Sequence, residues 1–132
     1  MHKKEPATVL VVDDDPIVLD LVKEHISKYG YQAILASSGE EALQVAKQNG
    51  KIDLLLTDIM MPGINGIDLA RQFILLYPKT KILFMSGFMC PSLAHFIPGD
   101  EGAFLQKPFL ANTLIAKMRS ALNGPAVQLP PS

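Results

Sequence analysis

The sequence has a single cysteine, Cys90, so no internal disulfide can form, and that scarcity fits a reducing cytoplasm. Neither charge is in surplus, with 12 Lys+Arg against 13 Asp+Glu and a formal net charge of −1. A nucleic-acid surface needs a basic excess or stripe, and there is none. No apolar run approaches the length of a membrane span. The start, Met1-His-Lys-Lys-Glu-Pro6, is basic but runs into a strand pattern rather than an apolar leader, so it does not read as a signal peptide. The three histidines, His2, His25 and His95, lack metal-ligand spacing, and surface positions explain them better than ligation or phospho-relay. No internal repeat is visible. What remains, at 132 residues and a hydrophobic share of 48%, is one globular domain with a real core and little room for a second.

Thr8-Val-Leu-Val-Val12 is a β-branched run suited to a central parallel strand. It ends in Asp13, Asp14 and Asp15. Asp15 can serve as N-cap and Pro16 as first residue of a helix with Ile17, Leu21, Val22 and Ile26 on one face, ending near Gly30. Tyr31 to Ala36 reads as a second strand. Ser38-Gly-Glu-Glu41 has capping-box spacing and opens a helix that runs to Asn49-Gly50. Ile52 to Leu56 is a third strand, apolar except for Asp53, and Asp58 arrives where that strand should be ending. Pro62, Gly63, Asn65 and Gly66 are turn formers, and a helix from about Gly66 to Leu76 is stopped by Pro78. Lys81 to Met85 is a fourth strand with Ser86-Gly87 at its carboxyl end. Pro91, Pro98 and Gly99 break the stretch from Phe88 to Gly102, leaving room for about two turns of helix around Ser92–Ile97. Ala103 to Gln106 is a fifth strand, ending in Lys107-Pro108-Phe109, and a last helix carries Leu114, Ile115, Met118, Ala121 and Leu122. The expected divisions are 1–7 as an N-terminal extension, 8–122 as the domain, and 123–132, with Pro125, Pro130 and Pro131, as a flexible tail or linker.

Five strands alternating with about five helices call for a parallel sheet covered on both faces. Right-handed crossovers then make a three-layer, doubly wound α/β domain the natural result. Parallel strands share a carboxyl edge, and ligands bind there. That edge collects Asp13 and Asp14 from the first strand, Asp58 from the third, Ser86 from the fourth and Lys107 from the fifth. Three crowded carboxylates repel one another and need a counter-charge. Mg²⁺ suits them, because it prefers oxygen ligands, keeps several waters and bridges to phosphate. Lys107 supplies a second positive charge, Ser86 a hydroxyl and Gly87 an unshielded backbone N–H. Together they make a cradle for a phosphoryl group attached to an acid.

The motifs Val11-Val12-Asp13-Asp14-Asp15-Pro16, Asp58-x-x-Met61-Pro62-x-x-x-Gly66, Ser86-Gly87 and Lys107-Pro108-Phe109 stand in order, each at a strand end. Over about Thr8 to Leu122 the chain resembles the receiver domain of two-component response regulators. The run Ala103-Phe-Leu-Gln-Lys-Pro-Phe109 looks more like receivers fused to hybrid histidine kinases than those of transcription factors. The resemblance implies a flavodoxin-like strand order, 2-1-3-4-5. It implies that Asp58 accepts a phosphoryl group from the phosphohistidine of a histidine kinase or histidine phosphotransfer domain. By the same resemblance Asp14, Asp58 and the backbone carbonyl of Met60 would bind Mg²⁺, with Asp13 reaching it through water, while Lys107 and Ser86 would hold phosphoryl oxygens. Lys107-Pro108 would be a cis bond. Phosphorylation would draw Ser86 inward and let Phe104 turn into the vacated space, a switch signalling to a downstream protein. Such a module carries out its own phosphoryl transfer and is not an enzyme with a separate substrate.

The chain also departs from the family pattern. Leu110 stands where receivers often have a helix N-cap, and leucine caps poorly, so Asn112 is expected to cap instead and delay the last helix by a couple of residues. The broken Phe88–Gly102 stretch departs at the usual fourth helix and at any dimer built on it. Met60 and Phe88, two residues after Asp58 and Ser86, cannot polarise an attacking water, which predicts a slowly hydrolysing acyl phosphate; a lifetime of seconds would refute this. A haloacid-dehalogenase-like phosphatase shares the Asp nucleophile, Mg²⁺, Ser/Thr and Lys, but wants a second Asp two residues on, where Met60 stands. A flavodoxin- or nucleotide-binding module needs a Gly- or Ser-rich loop after the first strand. Here three acids would repel phosphate. A purely structural relative of receivers is disfavoured by the intact quintet.

Overall fold

The computed structural model describes residues 6–87, 104–125 and Leu129. In chain order the elements are β1 (Thr8–Val12), α1 (Pro16–Ser27), β2 (Gln32–Ala36), α2 (Gly39–Asn49), β3 (Leu54–Asp58), α3 (Gly66–Leu76), β4 (Lys81–Ser86), β5 (Phe104–Gln106) and α4 (Ala111–Asn123). The five strands are parallel in the order β2-β1-β3-β4-β5, the expected flavodoxin-like arrangement. β3 is buried along its whole length and β1 along all but its first residue, because helices cover both faces and leave these strands no wet side.

Alternation along the strands divides the interior in two. Leu10, Val12, Leu55, Ile82 and Phe84 point to one face, where Ala42 and Ala46 of α2 and Leu69, Ala70 and Phe73 of α3 meet them. Val9, Val11, Leu54, Leu56, Leu83 and Met85 point to the other and pack with Val22 and Ile26 of α1 and Leu114, Ile115 and Met118 of α4. Among the described residues there are four helices. The helical turns expected around Ser92–Ile97, together with His2, Phe88, Cys90, His95 and Ala103, lie outside those residues.

Local chemistry sets most boundaries as expected. Asp15 Oδ1 accepts from the Ile17 N–H at 2.9 Å, with Pro16 in the first turn of α1. Ser38 Oγ accepts from the Glu41 N–H at 3.0 Å, while Glu41 reaches back to the Ser37 N–H, one residue short of a regular capping box. Asn65 caps α3 by accepting from the Asp68 N–H at 2.9 Å.

Two expectations need correction. The third strand runs Leu54–Asp58 rather than Ile52–Leu56, so Asp58 is its last residue and pairs in register with Met85. Asp53 stands just outside it: its N–H donates to the Thr8 carbonyl and its carbonyl accepts from the Lys81 N–H, both at 2.9 Å, while its carboxylate accepts from the Thr8 N–H at 2.8 Å, fastening the start of β1. Asn112 does not delay α4, which begins at Ala111 behind Leu110 with no side-chain cap at all. Burial of Leu114, Ile115 and Met118 holds the helix where local capping does not. Of the expected tail, Asn123 is the last residue of α4, the Gly124 carbonyl is bonded by Lys81, and Leu129 is partly buried. Among the described residues no helix is long and apolar enough to cross a membrane.

Candidate functional site

At the carboxyl edge of the sheet, β1 delivers Asp13 and Asp14, β3 delivers Asp58, β4 delivers Ser86, and the chain leaving β5 delivers Lys107. Asp13 is fully buried. Its N–H donates to the Ala36 carbonyl across the β1–β2 junction at 3.2 Å. Its Oδ1 accepts from the Asp15 N–H at 2.9 Å and its Oδ2 from Lys107 Nζ at 2.6 Å. The same ammonium lies 3.6 Å from Asp58 Oδ1. Oxygens of Asp13, Asp14 and Asp58 all lie within 4.8 Å of one another, with Asp14 exposed and the other two buried. Ser86 is buried, and its carbonyl accepts from the Lys107 N–H at 2.8 Å, which fixes where the lysine side chain starts. Lys107-Pro108 is cis, as the resemblance implied.

The backbone of Asp58 is held from several directions. Ile59 N–H donates to the Met85 carbonyl at 3.1 Å, and Thr57 Oγ1 donates to the Asp58 carbonyl at 2.9 Å. From the α3 side Gly66 comes so near that a Cβ there would sit 2.1 Å from the Asp58 oxygen. Gly66 N–H also bonds the Ile59 carbonyl at 2.9 Å. Gly66 therefore does more than form a turn, the role its neighbours in sequence suggested. It is the only residue type that lets the start of α3 rest on the acceptor strand. The Pro62-x-x-x-Gly66 spacing was the available signal.

Burial pushes the Asp58 carboxyl above its ordinary value, and the Asp13 charge adds to that, with a smaller push from Asp14. Lys107 and the neighbouring Ile59 amide pull the other way. Three carboxylates against one ammonium leave a formal charge of −2. A cluster of hard oxygens with that deficit is the donor set a divalent Mg²⁺ takes. Met60 follows in the loop with its side chain 63% exposed. Phe104 is partly buried against the α2–α3 cluster and pairs in register with Phe84. Two further apolar side chains beside this edge are exposed, Ile17 at 76% and Leu110 at 71%.

A family model described as "Response regulator receiver domain" matches residues 9–119. The chain is 36% identical over 121 residues to the transcriptional regulatory protein YvrH of Bacillus subtilis (strain 168), covering 89% of this chain and 50% of that protein. It is 32% identical over 118 residues to the sensor kinase CckA of Brucella abortus (strain 2308), covering 88% of this chain and 12% of that protein. The crystal structure of a CheY-like response regulator receiver domain protein from Methanospirillum hungatei JF-1 superposes with a TM-score of 0.80 at 28% identity, covering 89% of this chain and 94% of that one. The chain thus spans about half, or far less, of the curated relatives it matches.

Proposed function

This chain belongs to the response regulator receiver domain family of two-component systems, and we propose that Asp58 takes a phosphoryl group from the phosphohistidine of a histidine kinase or histidine phosphotransfer domain. The observation that carries the reading is the Lys107 ammonium set between Asp13 at 2.6 Å and Asp58 at 3.6 Å inside the carboxylate cluster. Phosphoryl transfer asks mainly for positioning and charge neutralisation. In the step proposed, an Asp58 carboxylate oxygen attacks phosphorus, the phosphorus–nitrogen bond of the donor breaks, and the imidazole leaves with its electron pair. Lys107 Nζ holds one phosphoryl oxygen and the Ser86 hydroxyl another. Asp14, Asp58 and the Met60 carbonyl, with Asp13 through water, would hold Mg²⁺, whose charge offsets that of the phosphoryl oxygens.

A donor histidine has to reach an acid that is 6% exposed, so its protein must press against the surrounding rim. Exposed Ile17, Met60 and Leu110 make that rim apolar, which suits a partner presenting its histidine on a helical face. After transfer, Ser86 is drawn to the new oxygens and Phe104 turns inward, altering the surface read by a downstream protein. The module works in the cytoplasm and performs its own chemistry, with no separate substrate. A phosphatase of the haloacid-dehalogenase kind is not supported, because Met60 offers no acid where one is required. Incubation with acetyl phosphate and Mg²⁺, followed by intact-mass measurement, tests the reading. Wild type should gain the mass of one phosphoryl group and Asp58→Asn none; an unmodified wild type or a modified variant sinks it.

A further inference from the structure

Residues 59–65 join β3 to α3 directly after Asp58, and Met60 is the second of them. The base of this loop is closed by the bonds from Ile59 N–H to the Met85 carbonyl and from Gly66 N–H to the Ile59 carbonyl. Its middle is held by α2. Met61 is buried and Ile64 partly buried in the α2–α3 cluster. Ile64 lies against Gly39, where a Cβ would come within 3.0 Å of Ile64 Cβ. Beside that contact Glu40 Oε1 accepts from the Ile64 N–H at 3.2 Å, across 24 positions of sequence. Gly63 turns the chain with φ +78°, and a Cβ on it would lie 3.0 and 3.1 Å from the two Glu40 oxygens. Glycine is therefore required at 63 twice over, by its backbone and by the carboxylate packed against it. Glu40 stands in the first turn of α2, where the helix dipole favours a negative charge. Its neighbour Glu41 does local work, closing the start of α2 on the Ser37 N–H. Glu40 instead gives its carboxylate to the loop that follows the acceptor.

Resting on the phospho-acceptor reading, in which the Met60 carbonyl is a Mg²⁺ ligand, we propose that Glu40 is a positioning residue for the metal site. It fixes the far side of the loop, so that the Met60 backbone is in place before the ion arrives. The Met60 side chain, 63% exposed, gives the loop little hold of its own. Without the Glu40 acceptor the Ile64 N–H turns to water and the loop samples more backbone conformations, which must be given up when the ion binds. Glu40 acts through the loop and not on the ion. Metal ligands lose affinity when the outer groups that orient them are removed, and one exposed hydrogen bond supports a loss of about twofold to tenfold.

Mg²⁺ affinity is measured by titration calorimetry on wild type, Glu40→Ala, Glu40→Gln and Glu41→Ala, and exchange of the Ile64 amide is followed in all four without metal. Glutamine keeps an acceptor oxygen and alanine does not. Glu41→Ala weakens the start of α2 and leaves the loop contact in place. The expected result is Mg²⁺ binding about twofold to tenfold weaker and faster Ile64 exchange in Glu40→Ala. Both should be largely restored in Glu40→Gln and unchanged in Glu41→Ala. Equal Mg²⁺ affinity in Glu40→Ala and wild type overturns the proposal, as does Ile64 exchange that ignores the substitution. A Glu40→Gln no better than Glu40→Ala overturns it too. So does an equal loss in Glu41→Ala, which would trace the effect to the helix start. A wild type that binds no Mg²⁺ overturns the metal reading and the proposal with it, a result distinct from equal affinities.

Discussion

Asp58 is asked to be ionised in a place that resists ionisation. Burial and the Asp13 charge raise its pKa above the ordinary carboxylate value. An acid whose pKa is higher folded than unfolded favours the fold while protonated. That contribution is complete below the unfolded pKa and is lost as pH rises through the folded one. At neutral pH without metal, the ionised group therefore weighs against the fold. Asp58→Asn is expected to melt a few degrees above wild type at neutral pH in chelator, with the gap narrowing on acidification. Melts across pH check it, and a variant no more stable than wild type contradicts it. Position at a strand end made Asp13, Asp58 and Lys107 legible from sequence. Which of Asp13 and Asp14 goes inside was not. Successive side chains at a strand end point opposite ways, and the choice falls to the bond from the Asp13 N–H to Ala36 on β2, a contact no local pattern encodes.

At the level of elements, the junction of β3 with α3 tolerates least. Gly66→Ala must push the start of α3 off the Asp58 carbonyl, at a cost of roughly 1–3 kcal/mol or more, and should slow phosphorylation because the acceptor backbone moves too. Urea denaturation and the acetyl phosphate assay report the two effects; an unchanged midpoint contradicts the prediction. α4 offers the opposite case. Leu110 already has the extended backbone of an N-cap, φ −84° and ψ 155°, but no oxygen to offer. Leu110→Ser should gain about 0.5–1 kcal/mol, measured by the same denaturation. The cap residues Asp15 and Ser38 made two helix starts readable in advance, and the turn formers ending at Gly66 marked a third, which Asn65 proves to cap. The start of α4 was not readable, because packing overrides a poor cap. β3 was misplaced by two residues for a related reason. A continuous apolar run carries no period to say where pairing begins.

For the whole molecule, strand and helix alternation with right-handed crossovers made the layered architecture legible, while the strand order came from family resemblance. The fold concentrates negative charge at one edge, so Mg²⁺ should bind the folded chain and raise its melting temperature. Saturation to about a hundred times the dissociation constant adds about 2.7 kcal/mol, and Asp14→Asn should shrink the rise. Melting indifferent to Mg²⁺ would contradict this. The bond between Asp13 and Lys107 has a consequence for synthesis. Its partners are 94 residues apart and sit on strands separated by two others. A nascent chain still short of its last strand exposes an acceptor aspartate with no lysine to complete the pocket. Competence for signalling therefore arrives only once Lys107 has been made, and ribosome-held intermediates halted before Lys107 should stay silent to any phosphodonor.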